Sequence, residues 1–219
     1  TGIPSMTAIY LYGFKLINEG NGRLHFTYTP SNSSDLIKFQ LLWNGTEEQR
    51  TWDTGLKEWS LIQLQPVNQC ELYNRCGPFG VCDVRNSPIC TCLKGYVPKD
   101  NDQWNIGNWS GGCIRRTQLQ CETKGGRGVG ESGERDGFLE VKDLKLPDFV
   151  DYVGSENVQE CRNKCLHNCS CIAFSFASGI SCMIWSKDLV DIQQFQYGGN
   201  TVFLRLAHSE LGNVSNRFH

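Results

Sequence analysis

Residues 161–171 read CRNKCLHNCSC and contain four of the twelve cysteines in this chain of 219 residues. All twelve lie between Cys70 and Cys182. An even number of cysteines at close spacing predicts disulfide bonds, which form in oxidising compartments such as the secretory pathway. The alternative is structural zinc, which is usually held by closely spaced pairs of cysteines or histidines. Because the histidines show no such pairing, we predict disulfides and no metal site.

A second group of cysteines precedes this stretch, in a segment with many turn residues and little apolar periodicity. The run CGPFGVC, residues 76–82, places a Gly-Pro turn between two of them. Such a segment buries too little apolar surface to offset its chain entropy, so cross-links have to stabilise it. Cys121 follows, just before the polar and glycine-rich stretch 122–135. We interpret that stretch as a linker or surface loop.

Residues 128–133, GVGESG, match the dinucleotide-binding pattern Gly-x-Gly-x-x-Gly. That motif binds a pyrophosphate only on a strand-to-helix turn inside a βαβ unit. Neither flank has the pattern of a strand or a helix, so we interpret these residues as a loop and predict no nucleotide cofactor.

The composition excludes other classes of protein. The net charge is −2 and no long basic run occurs, so nucleic acid is not expected as a partner. No apolar stretch reaches the length of about 18 residues that a membrane-spanning helix needs. The first four residues, TGIP, lack the charged start and apolar core of a signal peptide. We therefore expect a mature portion or fragment of a secreted-type protein, joined to a membrane only through a missing downstream helix.

Five Asn-x-Ser/Thr sequons indicate the same compartment, because these tripeptides accept N-linked glycans in secreted proteins. Their asparagines are Asn32, Asn44, Asn108, Asn168 and Asn213. All five are predicted glycosylation sites, although Asn168 lies between crowded cysteines that can leave it unmodified.

The N-terminal 66 residues have the composition of β-strands and contain no cysteine. Alternating, β-branched and aromatic residues predict strands at 8–12, 24–28, 36–43 and 58–64. Asn44-Gly45 suits a type I′ hairpin turn, in which both central residues need positive φ. These strands can form one antiparallel sheet, but a lone sheet needs a cover for its apolar face. We expect that cover to be encoded upstream.

Most of the stretch 161–171 is predicted to lie in a helix. The helix is expected to start near Ser155 or Asn157, because Asn157 and Glu160 have the spacing of a capping box. Its three cysteines, at positions 161, 165 and 169, recur every four residues and are expected to share one face.

Strands are predicted on both sides of this helix, at 138–141, 171–176, 181–185 and 201–206. Together they indicate a small α+β module with the helix against one face of a sheet. The residues after Ala207 are polar and are predicted to be frayed.

Several motifs resemble those of plant S-domain (G-type lectin) receptor-like kinases. The first cysteine group, which ends in CTCLKGY (90–96), resembles an EGF-like module, and the second resembles a PAN/apple module. The runs WSGGCIRRT (109–117) and NCSCIAF (168–174) are similar to that family's own sequences. The resemblance covers nearly the whole chain and implies a mostly β fold with an α+β part.

The resemblance also implies a division of the chain. An incomplete S-locus glycoprotein β segment is expected at 1–66, and an EGF-like module at 67–120. A PAN/apple module with an antiparallel sheet and one helix is expected at 121–207, and a disordered tail at 208–219.

Disulfide partners follow from the same resemblance. The EGF-like analogy implies the bonds Cys70–Cys82, Cys76–Cys90 and Cys92–Cys113. The apple analogy implies the bonds Cys161–Cys182 and Cys165–Cys171. Cys121 and Cys169 remain, and they are expected to pair with each other.

In the family that the chain resembles, lectin domains precede such a segment, and a membrane helix and a Ser/Thr kinase follow it. The chain contains neither the lectin motif Gln-x-Asp-x-Asn-x-Val-x-Tyr nor the kinase motifs His-Arg-Asp and Asp-Phe-Gly. Hydrolase and zinc-protease motifs are also missing, and a fully paired set of cysteines leaves no catalytic thiol. We therefore predict no enzymatic activity and no cofactor for this chain.

Calcium is an additional ligand of some EGF-like modules. Asn68-Gln69 fits half of the usual ligand pattern before the first cysteine, but Pro66 occupies the position of the first ligand. Since calcium needs six or more oxygen ligands, we predict no calcium site.

Trp104, Asn105 and Trp109 lie in the long loop between Cys92 and Cys113. They are candidate partner-binding residues, because tryptophan is favoured at binding hot spots. The alternative is that the tryptophans cover the disulfides, and we favour this alternative for Trp109.

The resemblance implies the membrane-proximal part of a receptor ectodomain, at the cell surface or secreted if truncated. Its partners are expected to be an extracellular protein or small ligand and a second receptor molecule, in pollen recognition or in immune perception. The alternatives are a secreted adhesion or decoy glycoprotein and a carbohydrate-binding apple module.

Overall fold

The computed structural model describes residues 13–30, 32–122 and 136–212. The strand predicted at 8–12, the glycine motif at 128–133 and the sequon of Asn213 lie outside these ranges. The chain divides into two compact units between Leu72 and Tyr73.

The first unit contains two antiparallel sheets among the described residues rather than one. One sheet pairs β1 (Phe14–Asn18) with β2 (Leu24–Tyr28). The other has the order β3 (Ile37–Leu41), β4 (Glu47–Asp53) and β5 (Glu58–Gln65). Strand β4 was not predicted, because it opens with a run of four polar residues that hides its alternation.

The turn between β3 and β4 differs from the predicted type I′ turn. Gly45 has a φ of +83°, whereas Asn44 does not have positive φ. Gly45 N donates to Leu42 O at 3.0 Å, and Leu42 N donates to Thr46 O at 2.7 Å. The prediction is therefore wrong by one position: Trp43 and Asn44 are the central residues, and a left-handed glycine follows them, as in three-residue hairpin loops.

Aromatic side chains join the two sheets of the first unit. The ring of Phe39 on β3 lies 5.5 Å from that of Phe14 on β1 and 5.1 Å from that of Tyr28 on β2. Many other apolar side chains remain exposed, including Leu41 at 76% and Trp43 at 98%. This is the exposure expected of a sheet whose apolar face has no cover.

The second unit begins at Tyr73, inside the segment 67–120 that is predicted to be EGF-like and is called the EGF-like segment below. Its short strands pair antiparallel: β6 (Gly80–Cys82) with β7 (Cys90–Cys92), and β8 (Tyr96–Pro98) with β9 (Cys113–Arg115). The short helix α1 (Asn101–Asn105) lies in the loop between β8 and β9.

The rest of the second unit, which we call the PAN-like part (residues 136–212), is a five-stranded antiparallel sheet with helix α2 (Val158–His167) against one face. The strand order is β10 (Gly137–Leu144), β15 (Asn200–Leu206), β12 (Ala173–Ala177), β13 (Ser181–Trp185) and β11 (Asp151–Val153). The sheet separates two clusters of buried side chains, a larger core and a smaller core. Ala173 of β12 lies in the larger core, and the next residue, Phe174, lies in the smaller core with the cysteines of α2. The mostly β fold with an α+β part is confirmed.

The larger core crosses from the EGF-like segment into the PAN-like part. Val81 and Tyr96 of the former belong to the same buried cluster as Trp185 and Leu204 of the latter. The two-residue strand β14 (Ile192–Gln193) also pairs in parallel with β6. The two parts therefore fold as one unit.

Helix α2 begins where the sequence predicts and ends earlier. Asn157 Oδ1 accepts a hydrogen bond from Glu160 N at 3.0 Å, which is the first half of a capping box. The Glu160 carboxylate accepts from Glu156 N at 2.8 Å, one residue before the cap. The helix ends at Asn168, because Asn168 Oδ1 accepts hydrogen bonds from Ser170 N and Ser170 Oγ and so favours a turn over a further helical turn. The prediction that Cys169 shares the helix face is therefore wrong.

The predicted disordered tail at 208–219 is wrong for residues 208–212. His208–Leu211 form the short helix α3, and Glu210 is buried. The Glu210 carboxylate accepts hydrogen bonds from Arg116 Nε at 3.0 Å and from Thr117 Oγ1 at 2.6 Å. Polar composition predicted fraying, but these residues find partners more than 90 positions earlier in the chain.

Candidate recognition groove

A groove of about 630 Å³ lies where the EGF-like segment meets the PAN-like part. Tyr96 of β8 and Arg115 of β9 form part of its lining, and the turn before β6 contributes Phe79. Asp188 lines it from the PAN-like part, and Lys99 comes from the loop after β8.

Two stacked aromatic rings support the groove. The rings of Phe79 and Tyr96 are 4.7 Å apart with an interplanar angle of 20°. Two backbone hydrogen bonds hold the turn that presents Phe79, because Phe79 N donates to Leu189 O and Cys113 N donates to Pro78 O, each at 2.7 Å. Gly77 is required here, since it has a φ of +68° and a Cβ would lie 2.5 Å from Gly112 N.

Arg115 is the most distinctive charged group of the groove. Its side chain is only 15% exposed, and its Nη2 donates to Tyr96 Oη at 3.2 Å. Its Nη1 reaches Glu122 Oε1 at a long distance of 3.5 Å, and its Nε has no hydrogen-bond partner among the described residues. Burial raises the pKa of Tyr96, while the positive charge of Arg115 opposes that rise. The guanidinium is thus largely desolvated, and its Nε is buried without a partner among the described residues.

The neighbouring Arg116 has a structural role instead. Its guanidinium binds both carboxylate oxygens of Glu210. Hydrogen bonds from Arg116 and then from Thr117 lower the pKa of Glu210 from 4.5 to about 2. This clamp fixes helix α3 against the end of β9.

A buried ion pair of the PAN-like part contacts the end of the EGF-like segment. Arg205 Nη2 lies 3.3 Å from Asp136 Oδ2, and both side chains are 3% exposed. Arg205 Nη1 also donates to Asn168 O at 2.9 Å, close to the end of α2. Asp136 Oδ1 accepts from Gln120 N at 2.9 Å. Burial lowers the pKa of Arg205, and the charge of Asp136 opposes this. The pair was not predicted from the sequence because its members are 69 positions apart.

Five of the six predicted disulfides are present: Cys76–Cys90, Cys92–Cys113, Cys121–Cys169, Cys161–Cys182 and Cys165–Cys171. Cys70 and Cys82 are both disulfide-bonded as well, so no cysteine is free. The sulfur atoms of Cys76, Cys82 and Cys90 lie within 4.8 Å of one another. All three belong to disulfides, so they offer no thiolate to a metal ion.

The residues considered for calcium hydrogen-bond to each other. Asn68 Oδ1 accepts from Cys70 N at 2.9 Å, and Asn68 Nδ2 donates to Glu71 Oε1 at 2.8 Å. These contacts cap the short 3-10 helix Gln69–Glu71.

The candidate partner-binding residues do not form one site. Trp104 packs against the larger core and lines a hollow beside the groove. The guanidinium carbon of Arg75 lies 5.4 Å from the centre of the Trp109 ring, which is an intramolecular cation–π contact. Asn105, at the end of α1, is exposed. Their role in partner binding stays a prediction.

The sequon asparagines within the described residues are all exposed: Asn32, Asn44, Asn108 and Asn168. Asn44 lies in the β3–β4 turn, Asn108 follows α1, and Asn168 ends α2. Glycosylation of these positions stays a prediction.

No helix within the three described ranges is long and apolar enough to span a membrane. Disulfide-bonded β modules of this kind, joined around a preformed groove, define a modular extracellular protein. Residues 1–100 match the S-locus glycoprotein domain, and residues 121–192 match the PAN-like domain.

Curated relatives agree with these matches. A G-type lectin S-receptor-like serine/threonine-protein kinase of Arabidopsis thaliana, B120, is 48% identical over 97% of this chain. Two further kinases of the same description from that plant are 42% and 41% identical over 97% and 98% of the chain. The chain belongs to the S-domain receptor-like kinase family and corresponds to part of the ectodomain. It spans about a quarter of the length of these relatives.

Proposed function

We propose that this chain is the non-catalytic recognition part of a plant receptor at the outer face of the plasma membrane. It binds an extracellular ligand and brings receptor molecules together. The observation that carries this proposal is the single core shared by the EGF-like segment and the PAN-like part. Because both contribute lining to the groove within one unit, its shape is fixed before a ligand arrives, and preorganised surfaces lose little entropy on binding.

Arg115 favours a ligand that carries an acidic group. A guanidinium binds a carboxylate through two parallel hydrogen bonds, and Arg115 is already oriented by Tyr96. The exposed Lys99 adds a further positive charge to a lining that also contains Arg116, Glu122 and Asp188. An acidic side chain of an extracellular protein, or a small acidic molecule, fits this chemistry.

Receptor association is proposed to use the β11 edge of the PAN-like sheet. Strand β11 pairs only with β13 among the described strands, and an edge strand offers unpaired backbone groups to a second chain. Phe149 and Tyr152 beside this edge are each 67% exposed. Phe149 also has a φ of +61°, which is unusual for a bulky residue and is often found at functional positions.

Sedimentation velocity of the full glycosylated chain tests the association. We expect a reversible dimer as the concentration rises to roughly 100 μM, where contacts of moderate affinity are populated. The double variant Phe149→Ser/Tyr152→Ser is expected to remain monomeric. Tyr197→Ser is the matched control, because Tyr197 is 74% exposed and lies outside strand β11. A wild-type chain that stays monomeric at every concentration would refute the proposed contact.

A secreted adhesion or decoy protein remains the alternative function, since it uses the same modules without signalling. The complete open reading frame distinguishes the two. A membrane helix and kinase encoded downstream support the receptor, and a stop codon soon after His219 supports the decoy.

A further inference from the structure

The loop between β8 and β9 contains a hollow of about 360 Å³ beside the groove. The two cavities share Lys99 and Gly111 in their linings. The hollow is also lined by Gln103, Trp104 and Asn108. Since Asn108 is a sequon asparagine, a predicted glycosylation site opens directly onto a cavity.

The side chain of Asn108 is held in one orientation. Its Nδ2 donates to Gln103 Oε1 at 2.9 Å, and its Oδ1 accepts from Ser110 Oγ at 2.8 Å. Gln103 belongs to α1, whose first turn is capped by Asp100 Oδ1. The nitrogen that accepts a glycan therefore lies beside a residue that lines the hollow.

The lining of the hollow suits a sugar. The half-buried Trp104 packs against the larger core, so its indole is fixed and offers an apolar surface. Lys99 and Gln103 supply hydrogen-bonding groups at the same cavity. An N-acetylglucosamine ring combines apolar C–H groups with hydroxyl and amide groups, and mixed apolar and polar linings of this kind bind small molecules.

We infer that the glycan of Asn108 places its first N-acetylglucosamine in this hollow, against Trp104. Attachment forms a bond between Nδ2 and C1 of the sugar, displaces the pyrophosphate of a lipid-linked oligosaccharide donor and releases one amide proton. The second amide hydrogen remains available for Gln103. The inference rests on the proposed extracellular location, and it assigns Trp104 to the glycan rather than to a protein partner.

Asn44 provides the matched comparison within the same chain. It lies in the turn between β3 and β4, next to Trp43, whose side chain is 98% exposed. Its Oδ1 accepts from Thr46 N at 3.0 Å within the turn. A glycan at Asn44 is therefore expected to extend into solvent.

The test is the rate at which peptide-N-glycosidase F releases each glycan from the folded, secreted chain, followed by mass spectrometry of the peptides. We expect release from Asn108 to be about tenfold slower than from Asn44, a factor that corresponds to roughly 1.4 kcal/mol. Trp104→Ala is expected to remove most of this difference. Trp43→Ala, which removes the exposed tryptophan beside Asn44, is expected to leave both rates unchanged.

Gln103→Ala is the second variant, since Trp104 also packs against the core and its removal can disturb the fold. It is expected to accelerate release from Asn108 alone. Equal release rates at Asn44 and Asn108 in the wild-type chain would overturn the inference, as would rates that respond to neither variant. An unmodified Asn108 beside a modified Asn44 would overturn it too and leave the extracellular function intact. A chain without glycans at any sequon would instead refute the proposed location.

Discussion

The two units of this molecule stabilise β-structure in different ways. The described strands of the first unit contain no cysteine and leave side chains such as Leu41 and Trp43 exposed. The second unit contains five disulfides and buries Phe174 and Trp185 almost completely. This difference shows that strand pairing is enough to form a sheet. Burial of the sheet's apolar face additionally needs a packed layer, which comes from further chain or is held in place by disulfides.

Removal of the longest of these disulfides is expected to reduce the difference in stability between the two units the most. Cys121–Cys169 spans 48 positions, and the chain-entropy model gives such a bond about 4 kcal/mol of stabilisation. We expect Cys121→Ala/Cys169→Ala to lower the free energy of unfolding of the second unit by this amount and to leave the first unit unchanged. Hydrogen exchange in urea, followed peptide by peptide, measures the two units separately.

The single variants Cys121→Ala and Cys169→Ala are the controls for that experiment. Each of them also loses the bond, so each should match the double variant. A double variant as stable as the wild-type chain would contradict the role assigned to this disulfide.

Loss of the clamp between Arg116 and Glu210 is expected to have an effect of intermediate size on thermal stability. Because the pKa of Glu210 falls from 4.5 to about 2 on folding, the folded state binds fewer protons than the unfolded state. The stability from this group is complete above pH 4.5 and is lost as the pH falls toward 2. Glu210→Gln is therefore expected to lower the Tm by about 2–4 °C at pH 6 and by much less near pH 2, where the carboxyl group is half protonated.

Calorimetric scans across this pH range test the clamp. Glu140→Gln is the control, because the Glu140 side chain is 49% exposed and lies 3.5 Å from Lys142. A difference between wild type and Glu210→Gln that does not change with pH would show that the carboxylate charge is not responsible.

The smallest effect is expected on the exposed face of the first unit. Trp43→Ser should change the free energy of unfolding by less than about 0.5 kcal/mol, as is usual for a surface position. Trp52→Ser should cost more, because the ring of Trp52 lies 5.5 Å from that of Trp59 on the next strand and aromatic pairs contribute about 0.5–1.5 kcal/mol. Urea unfolding curves of both variants decide the point, and an equally large loss for Trp43 would mean that this face is packed in solution.

Features set by neighbouring residues were predictable from the sequence. The cap at Asn157 depends on a contact three residues away, and the strand at 24–28 depends on local composition. The sequence did not predict β14, because two residues carry no periodicity and its partner β6 lies more than 100 positions earlier. Helix α3 was not predicted either, because its four residues are too few to show a periodicity and its contacts are with Arg116 and Thr117, more than 90 positions earlier.

The candidate groove was only partly predictable. The run that contains Arg115 was singled out through its resemblance to known sequences, but its contact with Tyr96 depends on the pairing of β8 with β9. Arg205 carries a weak signal in the sequence, an arginine between two leucines of an apolar strand. Its partner Asp136 becomes identifiable only when β10 and β15 are paired.

Strand β14 determines where parts of such receptors can be exchanged. A chimera joined at residue 120 would place the PAN-like part of one protein on the EGF-like segment of another. It would then have to reproduce the β14–β6 pairing and the shared core in a foreign sequence. A junction placed before Cys70 instead keeps all twelve cysteines in the exchanged segment, together with the residues of the EGF-like segment and of the PAN-like part that form the shared core. The natural unit of exchange is therefore the EGF-like segment and the PAN-like part together.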